Sequence, residues 1–284
     1  MSSPFRTLGL GGGGMKGILF VGALLELSKT QDLVFPDGVY GVSVGSIVGA
    51  YIAFGLTLDA ESLNEAFQIS KFVPDLDFAQ LPQSLTLKGV FSMDTFEKSI
   101  IDLFLSKGVD IRTKKIGDAL MPLYIAASNL TKGKPTIFSK DVPLLEALKC
   151  SCCIPGVFRP QIMYGQVFVD GDLFVPSIDY FIPTSDHVLC LSLKLKMIEN
   201  NFEPEKIEDM SPLTYIHDVY TLVTLNFFRQ VRKQCTLSLA YPNLRSFSNI
   251  SDFSIPHILE TAGADLRRFL CAKSILQEST KIAD

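Results

Sequence analysis

The stretch GVYGVSVGSIVGAYIAFGLTL, Gly38 to Leu58, contains no charged residue and is closed at each end by an acid, Asp37 and Asp59. An uncharged run of that length can be buried in two ways. It can cross a hydrocarbon layer of about 30 Å as one helix, with Gly41, Gly45 and Gly49 supplying the small-xxx-small spacing that packs helices in membranes. Or it can form a buried strand, a sharp turn and a buried helix in an α/β core. The second reading is preferred. The centre of the run is GVSVG, residues 41–45. A hinge there accounts for the serine and the glycines, whereas a membrane helix accounts only for the glycines. G-x-S-x-G between a strand and a helix is the setting of a nucleophile elbow, which presents a serine hydroxyl on a strained turn. The pattern predicts a strand over Gly38–Val42 and a helix from Val44 to about Phe54.

Upstream, LGLGGGGMKG (8–17) places four glycines, Gly11 to Gly14, before Met15, Lys16 and Gly17. A Walker A loop needs G-x4-G-K-[ST]. Here Lys16 is followed by Gly17 and Ile18, so the magnesium-binding hydroxyl is missing. Gly12, Gly14 and Gly17 fit the G-x-G-x-x-G of a dinucleotide site, but the ribose carboxylate should end the second strand. Asp32 and Asp37 both precede that strand, and it ends on Ser43. The third reading fits the serine. A run of glycines can gather several backbone N–H groups into one concavity, and fixed N–H donors stabilise an oxyanion without reorganising. Gly12, Gly13 and Gly14 are the expected donors. Lys16 either braces the loop, faces an anionic substrate, or is a solvated first-turn lysine.

Strands alternate with helices along the N-terminal part, which implies a largely parallel sheet. A strand is expected over about 6–10, and a helix after the glycines buries Ile18, Val21, Leu24, Leu25 and Leu27. Further strands are expected at Tyr124–Ala127, Thr136–Phe138, Gln166–Val169 and Val188–Leu193, with a short helix at Val142–Lys149. The acidic tract 199–212 is the expected boundary between a catalytic domain, 1–198, and a largely helical extension, 199–284, packed on the same domain. At 284 residues with 47% hydrophobic side chains, the chain can bury a sizeable core. A net charge of −4 and a pI near 5.5 argue against a nucleic-acid partner. The six cysteines lack zinc-site spacing and read as reduced core residues. No metal or cofactor is expected.

A Ser-His-Asp arrangement is not the economical reading, because His187, His217 and His257 all fall on expected helices or strand starts. VFVDGD (167–172) instead delivers Asp170 into a glycine turn. With GGGMKG (12–17), GVSVG (41–45) and DGD (170–172) in that order, the chain resembles the patatin-like phospholipase family. AASNLTKGKPTIFS (126–139) and SCCIPGVFRP (151–160) add weaker similarity, so the resemblance spans about residues 6–193. It implies a three-layer α/β/α fold with a mostly parallel central sheet. It also implies a Ser–Asp dyad, with Ser43 as nucleophile and Asp170 as general base. Gly12 to Gly14 would hold the oxyanion, and Lys16, Gly17, Gly41, Gly45, Gly171 and Asp172 would complete the motifs. The implied reaction is acyl-ester hydrolysis of phospholipids through an acyl-enzyme, with neutral lipid esters as a second substrate class.

Two positions depart from the family pattern. Asp172 stands where Gly or Ala is usual, and Pro176 stands where many members have asparagine. The second carboxylate would either raise a neighbouring carboxyl's pKa by repulsion or point into solvent. These departures leave a catalytically weak lipid-binding or storage protein as an alternative. A nucleotide-binding protein rests on the glycine spacing alone. A lipid substrate implies a membrane surface as partner and leaves room for a protein activator. The candidate interfacial segments are the apolar 72–91 and the helix after Ser211. That helix carries Leu213, Ile216, Val219, Tyr220, Val223 and Phe227 on one stripe before Arg229, Arg232 and Lys233. It either lies on anionic lipid or packs into the core. The N-terminus shows no basic, apolar leader. That pattern suits a cytoplasmic or peripheral membrane protein, and equally one delivered into another cell without a cleavable signal.

Overall fold

The computed structural model describes residues 5–58, 72–73, 88–175, 177–185, 187–193, 215, 219, 222 and 236–283. The expected boundary at 199–212, most of the 72–91 segment, the stripe after Ser211, His217, Cys235 and Pro176 lie outside the described residues.

In chain order the described elements begin with β1 (Thr7–Leu10), α1 (Ile18–Leu27), β2 (Gly38–Val42) and α2 (Val44–Ala53). They continue with β3 (Gly89–Phe91), α3 (Asp94–Leu105), β4 (Leu123–Asn129), β5 (Lys134–Phe138) and α4 (Leu144–Cys152). The last are β6 (Gly156–Phe158), β7 (Gln161–Met163), β8 (Gln166–Val169), β9 (Val188–Ser192), β10 (Thr236–Ser238) and α5 (Ile255–Ala283). The uncharged run is therefore a strand, a turn and a ten-residue helix. Among the described residues no helix is long and apolar enough to cross a membrane.

The main sheet runs β10-β9-β1-β2-β4-β8-β7, with β5 also paired to β4. Its first five strands are mutually parallel, and β5, β7 and β8 add antiparallel pairs at one end. β10 lies in a region that reads as helical. A three-residue strand carries almost no period, and here the parallel ladder along β9 supplies its partners.

Alternation along the strands separates two cores. Leu8, Leu10 and Val39 join a large core with α1, α2, α3 and α4. Tyr40, Val42, Ala126 and Cys190 face the other way, against Val175, Ile178 and Ile182. The 3-10 turn Ile178–Phe181 thus covers that face among the described residues. α1 is buried from Ile18 through Leu24, because the sheet lies on one side and α5 on the other. Gly22 sits directly against the Leu259 backbone, and Glu26 pairs with Arg267 at 2.8 Å.

The arrangement that positions the site lies along β4. β2 runs beside its first part, from Leu123 to Ala126. β8 runs beside its last part, with Ser128 opposite Val169 and Asn129 opposite Phe168. β2 is parallel to β4 and β8 is antiparallel, so the two strands point at each other and stop on either side of Ala127.

Candidate active site

Ser43 ends β2 and caps α2 with φ 53° and ψ −131°, a conformation that costs a non-glycine residue about 1–3 kcal/mol. Its neighbours explain how the turn is held. A side chain at Gly41 would run into the backbone of Gly45 and Ser46. One at Gly45 would run into the carbonyl oxygens of Leu10 and Gly11. The small residues that flank the serine are thus required by the close passage of β1, β2 and α2.

Asp170 arrives from the opposite direction at the end of β8. The Ser43 hydroxyl donates to Asp170 Oδ2 at 2.7 Å. The other carboxylate oxygen accepts the backbone N–H of Asp172 at 2.9 Å, which fixes the carboxylate plane. Both residues are buried, Ser43 at 5% and Asp170 at 2% exposure. Ser128 holds the turn after Asp170: its hydroxyl donates to the Gly171 carbonyl at 3.0 Å and accepts the Phe174 N–H at 2.9 Å. Gly171 packs on Val42 and the Ala126 carbonyl, which seats the turn on the sheet.

Ser151 is a structural participant that the sequence did not reveal. Its hydroxyl accepts the Ser43 N–H at 2.9 Å and donates to the Ala126 carbonyl at 2.7 Å. It therefore ties the elbow to β4. A sequence signal existed: Leu144, Leu145, Leu148, Ser151 and Cys152 recur at helical spacing on the buried face of α4, so Ser151 is a polar residue on an apolar stripe.

The glycine loop divides between two surroundings. Gly14 and Met15 line the same cavity as Ser43. Gly12 instead lies against the Asp172 carboxylate, in a smaller recess with Gly11, Ser177 and Thr236. Asp172 is 8% exposed, so the solvent-facing alternative for this carboxylate does not hold; the absence of a side chain at Gly12 makes space for it. Lys16 is likewise buried, at 3% exposure. Its Nζ reaches back across Gly13 to the Leu193 carbonyl at 3.3 Å, so it ties the loop to the end of β9 rather than standing in solvent. Gly17 closes the 3-10 turn that leads into α1.

Ser43 opens into a cavity with about 760 Å³ of empty space, part of it continuous with solvent. Its walls are apolar, formed by Ile47, Val48 and Tyr51 of α2, by Phe96 and Leu103 of α3, and by Ile154 and Phe158. Cys152 also lines it. Burial pushes the Cys152 and Cys153 thiols well above their ordinary range and Cys150 up to about 12, so these cysteines are neutral and poorly nucleophilic. Among the described residues no group of His, Cys, Asp and Glu is arranged to hold a metal ion. The described histidines, His187 and His257, do not line the cavity; His257 bonds the Tyr241 hydroxyl at 2.8 Å.

A family model described as "Patatin-like phospholipase" matches residues 8–176, more than half of the chain. YqhO of Bacillus subtilis is 32% identical over 170 residues, which are 52% of this chain and 55% of YqhO. The protein named "Probable lipid hydrolase 463L" of Invertebrate iridescent virus 6 is 26% identical over 192 residues, 60% of each chain. The chain thus spans a little over half the length of these relatives. Among solved structures, VipD from Legionella pneumophila superposes with a TM-score of 0.51 at 13% identity, over 95% of this chain and 67% of VipD. That likeness is one of fold.

Proposed function

Because the chain belongs to the patatin-like phospholipase family, we propose that it is a lipid acyl hydrolase of phospholipase A type, working through a Ser43–Asp170 dyad. The observation that carries the reading is the 2.7 Å hydrogen bond from the Ser43 hydroxyl to Asp170 at the edge of an apolar cavity. Asp170 Oδ2 takes the Ser43 proton as Oγ attacks the ester carbonyl carbon. The tetrahedral intermediate places its negative charge on the former carbonyl oxygen, facing N–H groups of the glycine loop at the mouth of α1 and the N-terminus of α2. Of the Gly12–Gly14 set, Gly14 is the donor that shares the cavity with Ser43. Collapse expels the alcohol, which receives the proton from Asp170. Water then repeats the sequence on the acyl-enzyme and releases the fatty acid, with Ser43 reprotonated. The scheme calls for no metal and no cofactor.

The apolar walls suit an acyl chain, and the substrate class proposed is a phospholipid at a membrane surface, with neutral lipid esters second. Residues 199–284 serve, on this reading, as an extension packed on the catalytic domain, and the protein works at the membrane periphery.

The test is product analysis on mixed phospholipid vesicles, paired with fluorophosphonate labelling, for wild type and Ser43→Ala. The expected result is release of free fatty acid and lysophospholipid by wild type, covalent labelling at Ser43, and loss of both in the variant. Release of fatty acid by Ser43→Ala at the wild-type rate refutes the dyad. A wild type that binds lipid yet neither labels nor turns over is instead a catalytically weak lipid-binding protein.

A further inference from the structure

The loop between β10 and α5 brings Ser246 and Phe247 to the cavity that Ser43 opens into, from beyond the residues matched by the family model. Its placement is fixed by backbone. The Met15 N–H donates to the Ser246 carbonyl at 2.9 Å, and the Ser246 side chain lies against Gly14, whose lack of a Cβ permits the approach. Ser246 is 2% exposed, yet its hydroxyl has no hydrogen-bond partner among the described residues. A buried hydroxyl without a partner destabilises a fold, so its place beside the glycine loop of a cavity calls for a ligand atom to meet it.

We propose that the Ser246 hydroxyl donates a hydrogen bond to the ester carbonyl oxygen of the bound lipid as that oxygen gains charge, making it a side-chain member of the oxyanion site beside Gly14. This rests on Ser43 being the nucleophile. The backbone bond from Met15 to Ser246 survives any side-chain change, so the hydroxyl can be tested alone. Wild type, Ser246→Ala and Ser246→Thr are compared for kcat and KM on a soluble short-chain ester and for thermal midpoint. Loss of an oxyanion donor lowers kcat by roughly 100- to 1,000-fold. The expected result is a fall in kcat of about a hundredfold or more for Ser246→Ala with KM little changed, a melting temperature equal to or above wild type, and recovery of kcat by Ser246→Thr. An active wild type with an equally active Ser246→Ala overturns this proposal and leaves the dyad standing. Ser246→Ala melting below wild type also overturns it, since that variant should lose only an unmet hydroxyl. A wild type with no ester turnover sinks the dyad reading and this one with it.

A second, independent observation concerns the outer end of the sheet. β4 and β8 continue their register past Asn129, where the Leu130 N–H bonds the Val167 carbonyl at 2.9 Å, and Val167 pairs with Ile162 on β7. Leu130, Val167 and Ile162 therefore form one row on one face. Leu130 is 43% exposed, Ile162 74%, and Tyr164 in the adjoining turn 69%. Lys132 in the turn between β4 and β5 is exposed, as are Lys134, which pairs with Asn129 and so starts on the other face, and Arg159, just ahead of β7; none forms an ion pair among the described residues. Neither 129–140 nor 153–169 contains an acid, in a chain of net charge −4. Exposed aliphatic and tyrosine side chains on a sheet end that carries cations and no acid suit an anionic bilayer surface.

We infer that these two hairpins dock the protein on anionic membrane. Flotation with phosphatidylcholine vesicles, with and without phosphatidylserine, compares wild type, Ile162→Glu/Tyr164→Glu, Lys132→Glu/Lys134→Glu, and Leu120→Glu as a control at an exposed leucine elsewhere. The expected result is binding only to anionic vesicles, reduced about tenfold or more in both paired variants and unchanged in the control, with short-chain ester turnover equal in all. Paired variants that bind like wild type, or wild type that binds neutral vesicles equally, overturn the assignment. So does a solution dimer abolished by Ile162→Glu, which gives the row to a second copy of the chain. The vesicle arm needs no turnover, so it stands or falls apart from the dyad.

Discussion

Replacing Ser151 by alanine removes one oxygen from the interior, and the structure gives its consequence in some detail. That oxygen accepts the Ser43 N–H and donates to the Ala126 carbonyl, and Ser151 and Ala126 are both fully buried. Stranding the Ser43 N–H costs about 1–3 kcal/mol, and losing the bond to Ala126 about 0.5–1.5 more. The expected sum is about 2–4 kcal/mol, which for a chain of this size lowers Tm by roughly 5–15 °C. The functional effect is separate. The bond to Ser151 is one of the restraints that keep Ser43 at a positive φ, and small displacements of a reacting atom are expensive. Fluorophosphonate labelling, measured well below the variant's Tm so that the chain is folded, is expected to slow by about tenfold or more. Both quantities come from one preparation, by differential scanning fluorimetry and a gel-based time course. A Tm within about 2 °C of wild type together with an unchanged labelling rate would refute the reasoning, because it would mean that the elbow holds its strained turn without this tie.

Asp170→Asn is expected to abolish turnover, while Asp172→Asn, which keeps the backbone N–H that bonds Asp170, retains it with an altered pH profile; the opposite ranking in a pH–rate series would reassign the base. Gly45→Ala forces a methyl into the carbonyls of Leu10 and Gly11 and is expected to cost about 3 kcal/mol or more, read as a fall in the urea midpoint; a wild-type midpoint counts against the close passage described. The raised Cys150 thiol, at about 12, titrates near 8.5 when unfolded. Its contribution is complete below that pH and is lost as pH climbs toward 12, because only the unfolded chain ionises there. Between pH 8 and 10.5 the urea midpoint should therefore drop less in Cys150→Ala than in wild type, and equal drops would contradict the assignment.

Much of the candidate site's geometry was readable because its residues sit at fixed local spacings. Gly41, Ser43 and Gly45 mark a strand–turn–helix whatever surrounds them, and β2 spans the expected Gly38–Val42. Asp170 was recognisable from the glycine beside it. Facts that depend on distant chain segments were not readable. Lys16 is buried because Leu193, far along the chain, offers it a carbonyl. Asp172 is buried because Gly12 leaves room. Ser246 reaches the cavity through a loop with no motif of its own. β10 was invisible because three residues show no period, and its place depends on β9. Ser151 is the intermediate case, since its helical spacing marked it as an oddity but could not name Ser43 as its partner.

The junction on β4 has one further consequence. β2 and β8 never pair with each other there; each is registered on the same third strand, one at each end. β4 thus acts as a ruler, and the gap across which Ser43 meets Asp170 is a length measured in its residues, at about 3.3 Å each. Side chains around the site can drift without altering that measure. An insertion or deletion of a single residue near Ala127 would change it by more than the hydrogen bond itself, and would turn the faces of β4 over on one side of the join. The spacing of the pair is written into the length of a strand that contributes neither member of it.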